Sequence, residues 1–259
     1  PEIWVKAKGR IYGIGSKEMG MEAEAKSGPF DLSEGKKFIP YRIITSKVSG
    51  PLSRAEGRGL VQILSAKLSG KMSEIDQCDQ PQNAHTLSVE MKLEKARLKL
   101  PWDLPALEDL RGHLLFKEGT LNLKEIEGRV LHSHIHRANG ALYQLLLVPS
   151  LHLRCEGRID LTDLPSLTKI EGFSQDFSNA FSPFTHFSGS TDYQLTAKGN
   201  LKPPLRFEHQ GSYRLLKVRL THRQIPFPIL IGEGRIDLSN EGVQWSGTKV
   251  EFGDSSLLL

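Results

Sequence analysis

The chain has 259 residues, of which 38% are hydrophobic and 25% are charged, and its formal net charge is +4 at pH 7. This composition is too apolar for a disordered chain, and the mild, dispersed positive charge does not make the concentrated basic patch that nucleic-acid binding needs. No stretch reaches the roughly 18 to 20 apolar residues of a membrane-spanning helix, and the residues from Pro1 onward do not have the pattern of a signal peptide.

Strand-like alternation runs along the chain from its first segment, PEIWVKAKGRIYGIG, to its last, SSLLL. Both segments read as interrupted strands, so we expect a piece of a longer protein whose membrane anchor lies outside this chain. In HTLSVEMKLEKARLKL, alternation places four apolar side chains on one face, namely Leu87, Val89, Met91 and Leu93. One apolar and one polar face predicts antiparallel pairing, and the spacing of the turn residues predicts a meander.

Helix signals are few and short. We predict one helix from Asp103 to Leu110, with Pro105 in its first turn, and another from Leu164 to Ile170, with Asp163 as its cap.

Three histidines, His132, His134 and His136, alternate in LHSHIHR and would share one face of a strand. This spacing is compatible with a zinc site, but a solvent-facing polar strand explains the same pattern and is the interpretation that we favour. The two cysteines, Cys78 and Cys155, are compatible with one disulfide or with two free thiols.

The sequence repeats itself. EGRIDL occurs at residues 156–161 and again at residues 233–238. The segment from Gly112 also aligns without gaps with the one from Gly234, and in both a strand, a polar turn and a second strand predict a hairpin. Stacked units of this kind would form a continuous sheet with one apolar face, although generic strands of a sandwich remain the alternative.

The segment from Gly172 to Gly189 carries five phenylalanines. We interpret it either as a cap over one end of the sheet or as a flap that faces a membrane or a partner. Its aromatic residues are Phe173, Phe177, Phe181, Phe184 and Phe187. We expect residues 1–259 to form a single elongated segment, with a candidate sub-boundary near residues 162–190.

No nucleophile elbow, phosphate-binding glycine loop, H-E-x-x-H or C-x-x-C motif is present in the sequence. We therefore expect neither an enzyme nor a cofactor, and no nucleic-acid partner.

The hairpin repeat GEGRIDLSNEGVQWSGTKVEFGDSSLLL, with the weaker copy LRGHLLFKEGTLNLKEIEGRV, resembles the AsmA-like superfamily of large bacterial envelope proteins. The resemblance covers about residues 107–130 and 225–259 and implies a long, twisted, antiparallel sheet curled into a groove. It also implies a periplasmic protein anchored in the inner membrane, which carries phospholipid acyl chains between the two membranes.

Transport of this kind needs only a continuous apolar track. The predicted lining residues are the inward positions of the repeats: Leu114, Phe116, Leu121, Leu123, Ile159, Leu161, Ile236, Leu238, Val243 and Trp245. The alternative is a structural or assembly module, a closed β-sandwich or solenoid that binds other envelope proteins at its edges.

Overall fold

The structure is a computed structural model, and it describes residues 3–35, 56–99, 105–167, 179, 181–201, 206–239 and 241–259. Strands dominate these residues. The fifteen strands are β1 (Val5–Tyr12), β2 (Gly20–Ser27), β3 (Phe30–Asp31), β4 (Glu56–Lys71), β5 (Leu87–Lys99), β6 (Leu107–Lys117), β7 (Thr120–Val130), β8 (Ser133–Tyr143), β9 (Ser150–Asp160), β10 (Phe184–Asn200), β11 (Arg206–His222), β12 (Ile229–Ser239), β13 (Gly242–Ser246), β14 (Lys249–Phe252) and β15 (Ser255–Leu258).

The helices are short, as expected. Among the described residues they are the α-helices Leu32–Gly35, Met72–Ile75 and Leu164–Leu167 and the 3-10 helices Pro81–Thr86 and Leu161–Asp163. The helix predicted from Asp103 to Leu110 is wrong in its second half, because β6 begins at Leu107, and residues 103 and 104 lie outside the described part. The helix predicted from Leu164 forms as far as Leu167, and residues 168–170 lie outside the described part.

Strands that follow one another in the chain are mostly neighbours in the sheet. The order is β1-β2-β4-β5-β6-β7-β8-β9-β10-β11-β12-β14-β15, with β3 paired to β4 and β13 paired to β12. Every pair whose register is described is antiparallel. The predicted all-β class and the antiparallel meander are therefore confirmed.

The chain divides into two units. Unit 1 comprises Pro1–Gly128 and Asn139–Leu151, and unit 2 comprises Arg129–Ala138 and His152–Leu259, so residues 162–190 belong to unit 2. Within each unit the sheet is open and uncurled, which corrects the expected curl into a groove. In place of curling, each unit covers part of its apolar face with a short segment of its own chain.

Unit 1 has a small core formed by β3, β4, β5 and β6. Its buried side chains are Phe30, Val61, Leu93, Ala96 and Leu110, and partly buried residues including Leu32, Met91 and Leu114 pack against them. Unit 2 has a core of the same size, formed by Leu161, Phe187, Leu215, Val218 and Ile231.

Bulges keep the apolar side chains on one face where the strict alternation fails. In β5, Leu93 and Ala96 are three residues apart, yet they are only 5% and 0% exposed. Lys95 lies between them in the left-handed conformation, with φ of 51°, and the register with both neighbouring strands shifts there. The extra residue is absorbed as a bulge, which returns the next apolar residue to the same face. The same conformation recurs at Asp109, Glu125 and Lys217, each followed by an apolar residue.

Candidate functional site

The apolar face of unit 1 consists of rows of side chains that run across the strands. Met91 pairs with Leu114 in β6, and Val89 pairs with Phe116. Both rows continue into β4, where Ile63 pairs with Met91. Side chains directly opposite each other in an antiparallel pair touch, so these rows form continuous apolar strips. All of their members are half-buried.

The other two lining residues predicted in unit 1 lie on the next strand. Leu121 and Leu123 are in β7, which neighbours β6 in the sheet, and both are half-buried. The four predicted lining residues of unit 1 are thus on two adjacent strands.

The apolar face of unit 2 has equivalent rows across β10 to β13. One row runs from Tyr193 through Tyr213 and Ile236 to Trp245. Tyr213 lies over Gly211, where an added Cβ would be 2.9 Å from its ring, so the aromatic ring covers the backbone that a glycine leaves bare.

A second row runs from Leu195 through Gly211 and Leu238 to Val243. Both rows of unit 2 end in exposed side chains, because Val243 is 54% and Trp245 is 44% exposed. These two side chains therefore present apolar surface to the solvent.

Two further lining residues predicted in unit 2 belong to its core. Leu161 is 6% exposed and follows the end of β9, and Ile159 packs against the same core. Leu161 does not line an open face, because the strand stops at Asp160 and the chain turns there.

Much apolar surface is left in contact with solvent. Of the described residues, fourteen hydrophobic side chains are buried, whereas eighteen large hydrophobic side chains are exposed. Scattered exposed hydrophobic residues are ordinary, but Val243 and Trp245 continue the apolar rows of unit 2.

A short cap covers the core of unit 1, and it was not recognised in the sequence. Residues 30–35 hold the sequence FDLSEG, in which Asp31 Oδ1 accepts hydrogen bonds from the backbone N and the hydroxyl of Ser33, at 2.8 and 2.5 Å. The resulting turn brings Leu32 over Gly57, where an added Cβ would lie 2.5 Å from the leucine side chain. Phe30 pairs with Val61, so this unit 1 cap is part of the sheet.

The cap of unit 2 starts with the same turn. Asp160 Oδ1 accepts hydrogen bonds from the backbone N and the hydroxyl of Thr162, at 2.9 and 2.6 Å. Residues 161–167, the unit 2 cap, follow and place Leu161 in the core. The sequence signal is F/I-D-L-S/T, which occurs at residues 30–33, 159–162 and 236–239, whereas the repeat EGRIDL showed only the last two copies.

A buried carboxylate connects the unit 2 cap to the turn between β7 and β8. Asp163 is 2% exposed. It accepts hydrogen bonds from the hydroxyl of Ser133 at 2.6 Å, from the backbone N of His132 at 3.0 Å and from His132 Nδ1 at 2.8 Å. The His132 ring itself is exposed, and its hydrogen bond to Asp163 raises its pKa above the usual value.

These three residues have the composition of a catalytic triad without its geometry. In a triad the histidine lies between the acid and the serine, whereas here Ser133 donates directly to Asp163 and accepts from the backbone N of Asp160. The arrangement therefore anchors a chain segment and does not activate a nucleophile.

The three alternating histidines do not form a metal site in the described residues, where no group of three His, Cys, Asp or Glu side chains could hold a metal ion. His132 is turned to Asp163, and His134 and His136 are exposed.

The two cysteines are free thiols. Burial raises the pKa of Cys155, which lies against Tyr193, and it also raises the pKa of Cys78.

The aromatic residues after the unit 2 cap pack into its core. Phe181 and Phe184 each lie beside the buried Phe187, with ring centroids 6.0 and 5.9 Å apart. Phe173 and Phe177 lie outside the described residues.

No family model, curated protein or solved structure matches this chain. Among the described residues, no helix has the length and apolar character needed to cross a membrane. The apolar rows and the caps are therefore the features of the molecule that bear on its function.

Proposed function

We propose that this chain is a lipid-binding segment of an AsmA-like envelope bridge protein, which holds phospholipid acyl chains against the apolar face of its sheet. The observation that carries the proposal is the row from Tyr193 to Trp245, with the parallel row that ends at Val243. The first row joins side chains of four neighbouring strands, the second has Gly211 under the ring of Tyr213 at its β11 position, and both end in exposed apolar surface.

The chemistry of these rows suits a hydrocarbon chain. An acyl chain gains about 0.8 kcal/mol for each methylene that it buries, so a few contacts along such a row give appreciable affinity without any polar recognition. The rows contain leucine, isoleucine, valine, tyrosine and tryptophan side chains. Burial raises the pKa of Tyr193 and of Tyr213, which keeps both phenols protonated and does not activate them as nucleophiles.

The opposite face of unit 2 is polar, which would leave it in water while lipid occupies the apolar face. Arg158 bonds to Asp192 at 2.6 Å, and Arg214 lies 3.6 Å from Glu233. Exposed pairs of this kind contribute little stability, but they keep one face hydrated.

The proposal places the protein in the bacterial periplasm, held to the inner membrane through a segment outside this chain. Phospholipid is the expected ligand, and no catalytic step is required for its passage.

A structural or assembly role is the second candidate, and the strand β1 favours it. All eight residues of β1 are exposed, and β1 stands at one end of the strand order. A strand in this position can pair with a strand of another protein, although its Lys6, Lys8 and Arg10 are of the kind that discourages indiscriminate pairing.

The test is native mass spectrometry of the purified chain, with organic extraction and analysis of any lipid that is released. We expect phospholipid in the wild type and a severalfold loss in Val243→Asp and Trp245→Asp. Both side chains are exposed, so these variants should fold normally.

The matched control is Gln244→Asp, which adds the same charge to the same strand but on its other face. Equal lipid loss in this variant would show that added charge, and not the apolar rows, accounts for the loss. A stable wild-type protein without lipid would refute the proposal and favour the assembly role.

A further inference from the structure

The unit 2 cap lies on apolar surface that a ligand of the sheet would otherwise use. Leu161 is buried against Phe187, Leu215 and Val218, and Leu164 packs on the same cluster. Ile236, a member of the row that ends at Trp245, also packs against this cluster. The cap therefore covers one end of the apolar face on which the proposed acyl chain would lie.

A polar cluster fastens this cap to its unit. Asp163 stands in the cap, and its three donors belong to His132 and Ser133, at the turn between β7 and β8. The hydrogen bond between His132 Nδ1 and Asp163 is accessible to the solvent, since the His132 side chain is 75% exposed. The buried carboxylate thus depends partly on a group that the solution can titrate.

We propose that the unit 2 cap is a displaceable cover of the apolar face, and that the cluster of Asp163, His132 and Ser133 is the latch that sets how often it opens. The inference rests on the proposed function in one respect, since the ligand admitted on opening is an acyl chain. When the latch breaks, Leu161 and Leu164 leave the cluster and release the apolar surface beneath them.

The direction in which pH changes the opening of the unit 2 cap follows from the charges around His132. Asp163 and, more weakly, Asp160 raise the pKa of the ring, whereas Arg129 of β7 lowers it. A histidine whose pKa is raised in the closed state stabilises that state fully below its ordinary value of about 6.5 and loses this effect as the pH rises through the raised pKa. The cap should therefore open more often at mildly alkaline pH than at mildly acidic pH.

The latch is tested by hydrogen exchange of residues 161–167 in the complete chain. Asp163→Asn and His132→Gln each weaken a hydrogen bond to a charged group, so we expect exchange in the cap to become about tenfold faster. The amides of β10 and β11 should keep their wild-type rates, which separates cap opening from unfolding.

The matched control is His134→Gln, which changes an exposed histidine two residues further along and should leave cap exchange unchanged. Unchanged exchange in both latch variants would overturn the latch.

The cover is tested by titrating a fluorescent palmitate analogue into the same proteins at about pH 6 and about pH 8.5. We expect severalfold tighter binding in the latch variants, and tighter binding by the wild type at the higher pH. This pH effect should disappear in His132→Gln.

The two proposals fail in different ways. If the latch variants open faster but bind the probe no better than a wild type that does bind it, the cover is refuted and the lipid-binding function stands. If no protein binds the probe while exchange responds as expected, the lipid-binding function fails together with the cover, and only the latch remains.

Discussion

The two caps show one local motif used in two ways. In both, an aspartate accepts bonds from the backbone N and hydroxyl of a residue two positions later, and the leucine between them is turned toward the core. The unit 1 cap is built into the sheet, because Phe30 pairs with Val61 and Asp31 Oδ2 accepts from the backbone N of Gly59. The unit 2 cap is fastened through the side chain of Asp163. The cap that is paired to the sheet through its backbone should stay closed, whereas the cap that is held by side chains should open when those side-chain hydrogen bonds break.

The third copy of the motif, residues 236–239, shows that the sequence alone does not make a cap. Asp237 there accepts bonds from Arg235, and the hydroxyl of Ser239 accepts from the backbone N of Glu241. Leu238 stays in β12 and pairs with Val243. In this copy Arg235 occupies the carboxylate of Asp237, the turn does not form, and the strand continues.

The largest expected effects come from the bulge glycines that border each core. Gly59 and Gly189 have φ of 98° and 97°, and a Cβ on either would collide with a carbonyl oxygen, of Lys95 and Lys217 respectively. We expect Gly59→Ala and Gly189→Ala each to destabilise the protein by about 2 to 4 kcal/mol, since backbone strain and collision add. Urea denaturation monitored by hydrogen exchange should show the loss first in unit 1 for Gly59→Ala and first in unit 2 for Gly189→Ala.

The control is Gly232→Ala, because nothing lies within 4 Å of a Cβ there. This variant should stay close to the wild type. A similar loss in all three variants would mean that the bulges are not its cause, because alanine at an unstrained position lowers the entropy of the unfolded state and should not destabilise the protein.

The sequence allowed the strands to be predicted because their periodicity is a local property. The face formed by Leu87, Val89, Met91 and Leu93 is present, and the aligned segments at Gly112 and Gly234 both form hairpins, β6 with β7 and β12 with β13. The end of β5 was harder to predict, because the step from Leu93 to Ala96 breaks the alternation unless a bulge at Lys95 is assumed.

The positions of the caps could not be predicted in the same way. Leu161 occupies an inward position of a repeat, and it leaves the strand where Asp160 accepts from Thr162. The arginine of this copy, Arg158, bonds instead to Asp192, 34 residues away, and that long-range contact cannot be read from the repeat. Asp163 and His132 are 31 residues apart, and no periodicity in the sequence connects them.

The next largest losses of stability are expected on truncation of the leucines in the two caps. Leu161 is buried whereas Leu32 is half-buried, so we expect Leu161→Ala to cost about 2 to 3 kcal/mol and Leu32→Ala about 1 kcal/mol. The measurement is the free energy of unfolding from urea titration. A larger loss for Leu32→Ala would reverse the comparison and show the unit 1 cap to be the more tightly packed cover.

The smallest effects concern the turns that begin the caps. Asp31→Ala and Asp160→Ala each remove the two hydrogen bonds of a turn and should cost about 1 kcal/mol, whereas Asp237→Ala removes exposed polar contacts, chiefly with Arg235, and should cost clearly less.

The pH dependence of stability gives an independent check on these turns. The hydroxyl of Ser33 holds the pKa of Asp31 below its usual value, and that of Thr162 does the same for Asp160. A carboxyl with a lowered pKa adds stability above its ordinary value of about 3.9 and loses it as the pH falls further. Thermal unfolding between about pH 6 and about pH 3 should therefore show a shallower acid loss in Asp31→Ala and Asp160→Ala than in the wild type. If only Asp160→Ala flattens the curve, then backbone pairing alone maintains the unit 1 cap, and the aspartate turn is essential only where the sheet does not hold the cover.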